Sequence, residues 1–226
     1  MRTSAGRVAR VPDIEAVIFD LDGVLVDSEP VHFRAANRVL ARYGTAISEQ
    51  EYITYIGLGE AATWRQWRDR FGLAASMEGL LEQHTAARLT EIAGGVPAIV
   101  DGVRLARQLH QAALPLAIAS SSTPAVIDAL LAALGLADVF GVRVSGEDPE
   151  VRHSKPAPDV YLTAAARLGV RPAACLAIED SGPGVVAAKR AGMTCIAVPN
   201  HWTMHQDFRD ADVVLDSLRY FPLLVL

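Results

Sequence analysis

The sequence predicts an α/β protein: a doubly wound parallel sheet, Rossmann-like, with an all-helical block inserted after its first strand. Three observations carry that expectation. From about residue 96 onward, short apolar β-prone runs alternate with segments of helical period, the pattern of strands joined by helical crossovers. Between 28 and 95 the β-prone runs stop and only helical periodicity remains, broken at glycines. Finally, three strand-like runs end abruptly in polar side chains, at Asp20/Asp22, Ser120 and Glu179/Asp180. Unpaired carboxylates are costly inside a sheet, but at the C-terminal ends of parallel strands they emerge into the crevice where such sheets bind ligands.

Taken in order, residues 14–19 form the first strand, and the period changes at Pro30 to a helix over 30–43 closed by Gly44. Ser48 and Glu51 have the spacing of a capping box for a second helix. Gly57-Leu58-Gly59 breaks it, and helices follow over 60–71 and 77–92 until Gly94-Gly95 and Pro97 end the block. A helix over 101–113 and a strand over 116–119 come next. Thr123-Pro124 supplies an N-cap and a first-turn proline for the following helix. Strand 142–145, helix 157–168, strand 175–178, helix 185–191 and strand 194–198 continue the alternation, with a last strand at 212–215 and a short helix. The expected division is an α/β core of 13–27 plus 96–226, a helical cap of 28–95, and a loose tail of 1–12.

Composition excludes several function classes. The chain has 226 residues, 51% hydrophobic and 21% charged, with a net charge of −5 and no basic stripe, which argues against nucleic acid. No apolar run approaches a membrane-spanning length, and residues 1–12 lack the apolar stretch of a secretory signal. Cys175 and Cys195 lie inside apolar runs and are expected as buried thiols, in keeping with a reducing cytoplasm. A monomer or weak dimer acting on a small metabolite is expected. Of the 21 basic residues only Lys155 and Lys189 are lysines, so a lysine beside Pro156 stands out.

Right-handed crossovers put all parallel strand ends on one edge, so Asp20, Asp22, Ser120, Glu179 and Asp180 should converge. Four carboxylates there would repel one another. A Mg²⁺ held by one or two of them plus substrate oxygens relieves that repulsion, while helix N-termini at the same edge favour an anion. An acidic, cation-bearing pocket with anion-binding dipoles suits a phosphoester.

Asp20-Leu21-Asp22-Gly23-Val24 resembles the signature of the haloacid dehalogenase superfamily. Its other motifs follow in order: Ser120 after an apolar strand, Lys155 in Ser154-Lys155-Pro156, and Glu179-Asp180-Ser181-Gly182. The resemblance spans about 14–216. It implies that Asp20 is the nucleophile and Asp22 the general acid and then base. Asp20, the Asp22 backbone carbonyl and Asp180 would hold Mg²⁺, with Glu179 close by or binding through water. Ser120 and Lys155 would clamp the transferring phosphoryl group, with Ser121 and Ser122 beside it. Because halide displacement needs neither Asp22 as acid nor a metal, the resemblance points to phosphoryl transfer.

The helical block looks like the cap of the β-phosphoglucomutase and sugar-phosphate phosphatase branch. His32 resembles a histidine of that mutase just after the hinge, tied to cap closure. Gly57 and Arg65 are the further substrate-binding candidates in the cap. Core packing is the expected role of Trp64 and Trp67, and His84 and Arg88 share a helix face without an assigned role. Where the mutase places distal cations, this chain has Glu60, Thr123 and Pro124. A hydrolase of sugar or polyol monophosphates is therefore expected, ahead of a hexose-phosphate mutase and of a phospho-acceptor signalling domain.

Overall fold

A computed structural model describes residues 14–56 and 58–221. The tail expected over 1–12 and the cap-loop Gly57 lie outside them. Six parallel strands form one sheet: β1 (Ala16–Phe19), β2 (Leu116–Ser120), β3 (Val142–Ser145), β4 (Cys175–Glu179), β5 (Thr194–Ala197) and β6 (Val213–Val214). Their order is β3-β2-β1-β4-β5-β6, the doubly wound arrangement in which the chain reverses direction at β1. Phe19 stands opposite both Ile118 and Ile178. The register therefore brings Asp20, Ser120 and Glu179 to one edge.

The sheet is buried on both faces, and its two-residue period separates them by size. Val17, Phe19, Leu116, Ile118, Leu176, Ile178 and Ile196 pack on one face, under α5 (Val100–Gln111) and α6 (Pro124–Ala133). Ala16, Ala117, Ala119, Ala177 and Ala197 line the other, with Ile18, Val144 and both free cysteines, under α7 (Asp159–Leu168) and α8 (Gly182–Arg190). Small side chains let α7 and α8 approach closely, which brings Lys155 and Tyr161 within reach of the strand ends.

Between β1 and α5 stand four helices: α1 (Glu29–Leu40), α2 (Glu49–Ile53), α3 (Glu60–Phe71) and α4 (Met77–Ala93). They have a separate core in which Trp64 and Trp67 pack edge to face with Leu40, Tyr52 and Leu80. The entry and exit strands pair with each other. Asp27 N–H donates to Pro97 C=O and Ile99 N–H to Leu25 C=O, both at 2.9 Å. No helix among the described residues is long and apolar enough to cross a membrane.

Local departures from the expected elements have simple causes. Ser48 Oγ accepts from Glu51 N–H, but the Glu51 carboxylate turns to Arg70 of α3 instead of back to Ser48. The helix expected from 157 starts at Asp159, because Pro156 and Pro158 hold the chain out and Asp159 accepts from the N–H groups of Arg152 and His153. The helix expected from 185 begins at Gly182, since Pro183 fits a first turn and Ser181 Oγ caps Gly184 N–H. The last strand shrinks from the expected 212–215 to Val213–Val214, at an exposed edge.

Candidate active site

The crevice is organised by one ammonium. Lys155, on the loop before α7, donates to Asp20 Oδ1 at 2.5 Å, Glu179 Oε1 at 2.6 Å and Ala119 C=O at 3.0 Å. All three of its protons are therefore committed, and two anionic partners raise its pKa against the opposing effect of burial. Glu179 is fully buried. Its Oε1 also accepts from Tyr161 OH at 2.6 Å, and its Oε2 accepts from Asp180 N–H, Ser181 N–H and Ser181 Oγ. A Cβ on Gly184 would lie 1.9 Å from Glu179 Oε1, so only glycine allows the helix to begin there.

Asp20 and Asp180 sit beside this anchor. Burial pushes both carboxyls well above their ordinary value, and the neighbouring carboxylates add to the shift while Lys155 opposes it. Asp20, Glu179 and Asp180 offer oxygens within 4.8 Å of one another. Three carboxylates against one ammonium leave an excess negative charge that a divalent cation fits. With both Glu179 oxygens occupied by donors, Asp20 and Asp180 are the carboxylates with oxygens left to offer a cation, while Glu179 holds Lys155. Gly23, at φ +79°, leaves room for Asp180: a Cβ there would lie 2.0 Å from its Oδ2.

Asp22 belongs to a different network. Its Oδ2 accepts from Ser122 Oγ at 3.1 Å and Ser120 Oγ at 3.4 Å, while Oδ1 lies 3.8 Å from His32 Nε2 and 3.9 Å from Arg88 Nη2. Burial would raise its pKa, but the His32 contact, the Arg88 guanidinium and Ser28 outweigh it and hold the carboxyl below the usual range. Arg88 comes from α4 in the helical block, is 2% exposed, and also donates to Ser122 Oγ at 3.0 Å. It thus crosses the seam between block and sheet.

Beyond Asp22 a cavity opens between α1, α2, α3 and α4, lined among others by Glu29, His32, Tyr52, Glu60, Trp64 and His84. His84 Nδ1 lies 2.6 Å from Glu60 Oε1, and Tyr52 OH donates to Glu29 Oε2 at 2.7 Å. Glu60 is held down to about 2: burial opposes this, but the His84 contact and Arg88 prevail. Burial pulls His84 below its ordinary value despite Glu60.

The sequence-derived candidates separate accordingly. Asp20, Asp22, Ser121, Lys155 and Asp180 line one cavity at the strand ends. Ser120 and Ser122 are buried behind it and point their hydroxyls at Asp22. His32 lies at the junction with the helical block. Arg65 is exposed on the outer face of α3, away from either cavity, because Trp64 and Trp67 take the inward positions. Four residues of consequence carry no role on sequence grounds: Arg88, His84, Tyr161 and Asn200. The shared helix face of His84 and Arg88 is the available signal for the first two. For Tyr161 and Asn200 the sequence offers none.

A parallel sheet with a lysine-paired aspartate at its switch point, under an inserted helical block, defines a capped hydrolase. A family model described as haloacid dehalogenase-like hydrolase matches residues 14–192. The protein CbbY of Rhodobacter capsulatus is 38% identical over 210 residues, covering 88% of this chain and 92% of its own. Hexitol phosphatase B of Escherichia coli is 36% identical over 208 residues, covering 91% and 93%. A solved structure of CbbY from Rhodobacter sphaeroides with xylulose-(1,5)bisphosphate superposes with a TM-score of 0.85 at 29% identity, covering 94% and 99%. The chain belongs to the haloacid dehalogenase-like hydrolases, in their β-phosphoglucomutase-like and sugar-phosphate phosphatase branch.

Proposed function

We propose that this protein is a Mg²⁺-dependent phosphatase that releases phosphate from small sugar or polyol monophosphates through an aspartyl phosphate on Asp20. One observation carries the reading. Asp20 is fixed by Lys155 beside Asp180, while another carboxylate, Asp22, is held apart on its own donors. Mg²⁺, held by Asp20, Asp180 and the Asp22 backbone carbonyl, would supply charge neutralisation for the phosphoryl oxygens. Asp20 attacks phosphorus with a carboxylate oxygen, and the bond from phosphorus to the leaving oxygen breaks. Asp22 gives its proton to that oxygen. Its carboxyl is held below the usual range in the empty crevice, so it takes up that proton from solvent as the phosphoester dianion arrives and raises its proton affinity. In the second step Asp22 takes a proton from water as the water attacks phosphorus, which restores the Asp20 carboxylate. Lys155 stays in place throughout as a fixed positive charge.

The leaving group falls to the cap. Its cavity is lined by two carboxylates, two histidines and aromatic rings, with no lysine or arginine among the lining residues. Hydroxyl groups suit such a lining and a second phosphate does not. The likeness to hexitol phosphatase B supports the same substrate class. A sugar bisphosphate is the second reading, favoured by the CbbY structure with xylulose-(1,5)bisphosphate. Arg88, the buried cap cation nearest the cavity, already lies 3.9 Å from both Asp22 and Glu60, which weighs against it.

Phosphate release measured across hexitol, hexose and pentulose mono- and bisphosphates, with Mg²⁺ and with EDTA, tests both. Turnover of a monophosphate that EDTA abolishes and Mg²⁺ restores is expected, with no isomerised hexose phosphate. Full turnover in EDTA would overturn the metal assignment. A preference for bisphosphates would overturn the substrate class.

A further inference from the structure

Strand β5 ends at Ala197, and the chain then runs through Asn200, His201, Trp202 and Thr203 along the edge that carries Asp20 and Asp180. The loop closes on Asn200. Its N–H donates to Thr203 Oγ1 at 3.1 Å, and its C=O accepts from the N–H groups of Thr203 at 3.1 Å and Met204 at 2.9 Å. Its side-chain Oδ1 accepts the Trp202 N–H at 2.8 Å. Since a backbone N–H can only donate, the amide orientation is set, and Nδ2 is the atom that meets Asp180 Oδ2, at 2.8 Å. On its other side the same oxygen is bounded by Gly23, where a Cβ would fall 2.0 Å from Oδ2 and 2.8 Å from Asn200 Nδ2.

We propose that Asn200 is a positioning residue for the metal site. It ties Asp180 Oδ2 to a fixed amide donor, so that Asp180 presents its other oxygen as a single ligand towards Asp20. The inference rests on the metal reading above and adds a residue to it. A neutral donor suits the task. It holds the carboxylate oxygen in place by a direct hydrogen bond, yet adds no charge to compete with a cation. An arginine or lysine in its place would take the cation's role. A carboxylate with both oxygens free would instead lose rotational freedom only on binding, at a cost in affinity.

Calorimetric titration of Mg²⁺ into the full-length protein tests this, with Asn200→Ala against wild type. Asn200→Ala should weaken Mg²⁺ binding roughly 10–100-fold, the scale of losing an outer-shell partner. Its apparent affinity for Mg²⁺ in turnover should fall by the same factor as in calorimetry, so that raising Mg²⁺ recovers activity, because the lost donor acts through Asp180. The upward shift in melting on adding Mg²⁺ should shrink relative to wild type, whatever the lost Trp202 contact costs in EDTA. If Asn200→Ala fails to fold, Asn200→Ser, whose hydroxyl is too short to reach Asp180, is read in the same way. Wild-type Mg²⁺ affinity in a folded variant overturns the proposal. Failure of wild type itself to bind Mg²⁺ would overturn the metal reading instead, so the two failures are distinguishable.

Discussion

At the core end of the crevice, Lys155 places its three protons on three oxygens and Glu179 accepts five hydrogen bonds. At the cap end, His84 Nε2, Arg88 Nε and Trp67 Nε1 are buried without a partner among the described residues, as is Asp22 Oδ1 on the seam. Buried polar atoms are rarely left unpaired, and of these Trp67 and His84 line the cap cavity where the proposed leaving group would sit. The difference separates two tasks. The core end fixes charge before any substrate arrives, as transition-state stabilisation requires. The cap end keeps polar atoms in reserve for the molecule that completes it.

The sharpest way to break that contrast is to damage the core end and look for surviving turnover. Asp20→Asn preserves shape and removes the nucleophile, so activity should fall by about 10⁴-fold or more with an unchanged circular dichroism spectrum. Residual turnover near wild type would move the nucleophile elsewhere.

Lys155→Met attacks the same end through stability. Asp20 and Glu179 would be left as buried, unpaired charges, which typically costs about 3–5 kcal/mol. Urea unfolding in EDTA reads this directly. A loss below about 1 kcal/mol would mean that the ion pairs of Lys155 do not stabilise the fold.

The same contrast accounts for what is legible in the amino-acid sequence. Core-end residues occupy strand ends, where the two-residue period and the crossover rule place them with little freedom. The convergence of Asp20, Asp22, Ser120, Glu179 and Asp180 on one edge therefore follows from the pattern of the chain itself, and Lys155 stands out by its rarity. Element order and the inserted helical block are legible for the same reason. Cap residues reach the crevice by tertiary packing of helices, which spacing alone does not determine. Arg65 and Trp64 are adjacent in sequence, yet Trp64 is buried in the cap and Arg65 faces solvent. Arg88 is remote from Asp22 along the chain and meets it only because α4 packs beside α6. Asn200 is silent for a related reason: its role depends on a loop closing on itself beside another strand's end.

At the seam the expected effect is smaller. Arg88→Met removes one charge-assisted contact to Ser122 and the longer-range attraction to Asp22, worth about 1.5–3 kcal/mol, so kcat/KM should drop roughly 10–100-fold. It should also leave a signature that a packing defect would not. Because Arg88 helps depress the Asp22 carboxyl, its loss raises that pKa, and the alkaline limb of the kcat/KM profile, along which the general acid loses its proton, should move to higher pH. A uniform drop with an unshifted limb would remove Arg88 from the acid–base network.

Smallest of all is a stability effect confined to the cap. Burial keeps the His84 imidazole below its ordinary pKa of 6.5; Glu60 offsets this in part, and His32 and Arg88 add to it. An unfolded chain takes up that proton near pH 6.5, whereas the folded chain does so only at lower pH. Between the two values the unfolded state carries more protons, so stability falls as the pH is lowered from 6.5 towards the folded value, by at most ~1.4 kcal/mol per pH unit. His84→Phe keeps a ring of similar size and abolishes this dependence. Asp20 and Asp180 also titrate anomalously, but they do so in both proteins and cancel in the difference. The stabilising effect of Glu60 is lost only below about pH 4.5, towards its folded value of about 2. Urea unfolding at pH 7.0, 6.0 and 5.0 should therefore show the advantage of wild type over His84→Phe shrinking steadily as the pH falls. A constant difference across that range would mean that His84 is already protonated in the fold. In that case Glu60 and His84 form an ion pair.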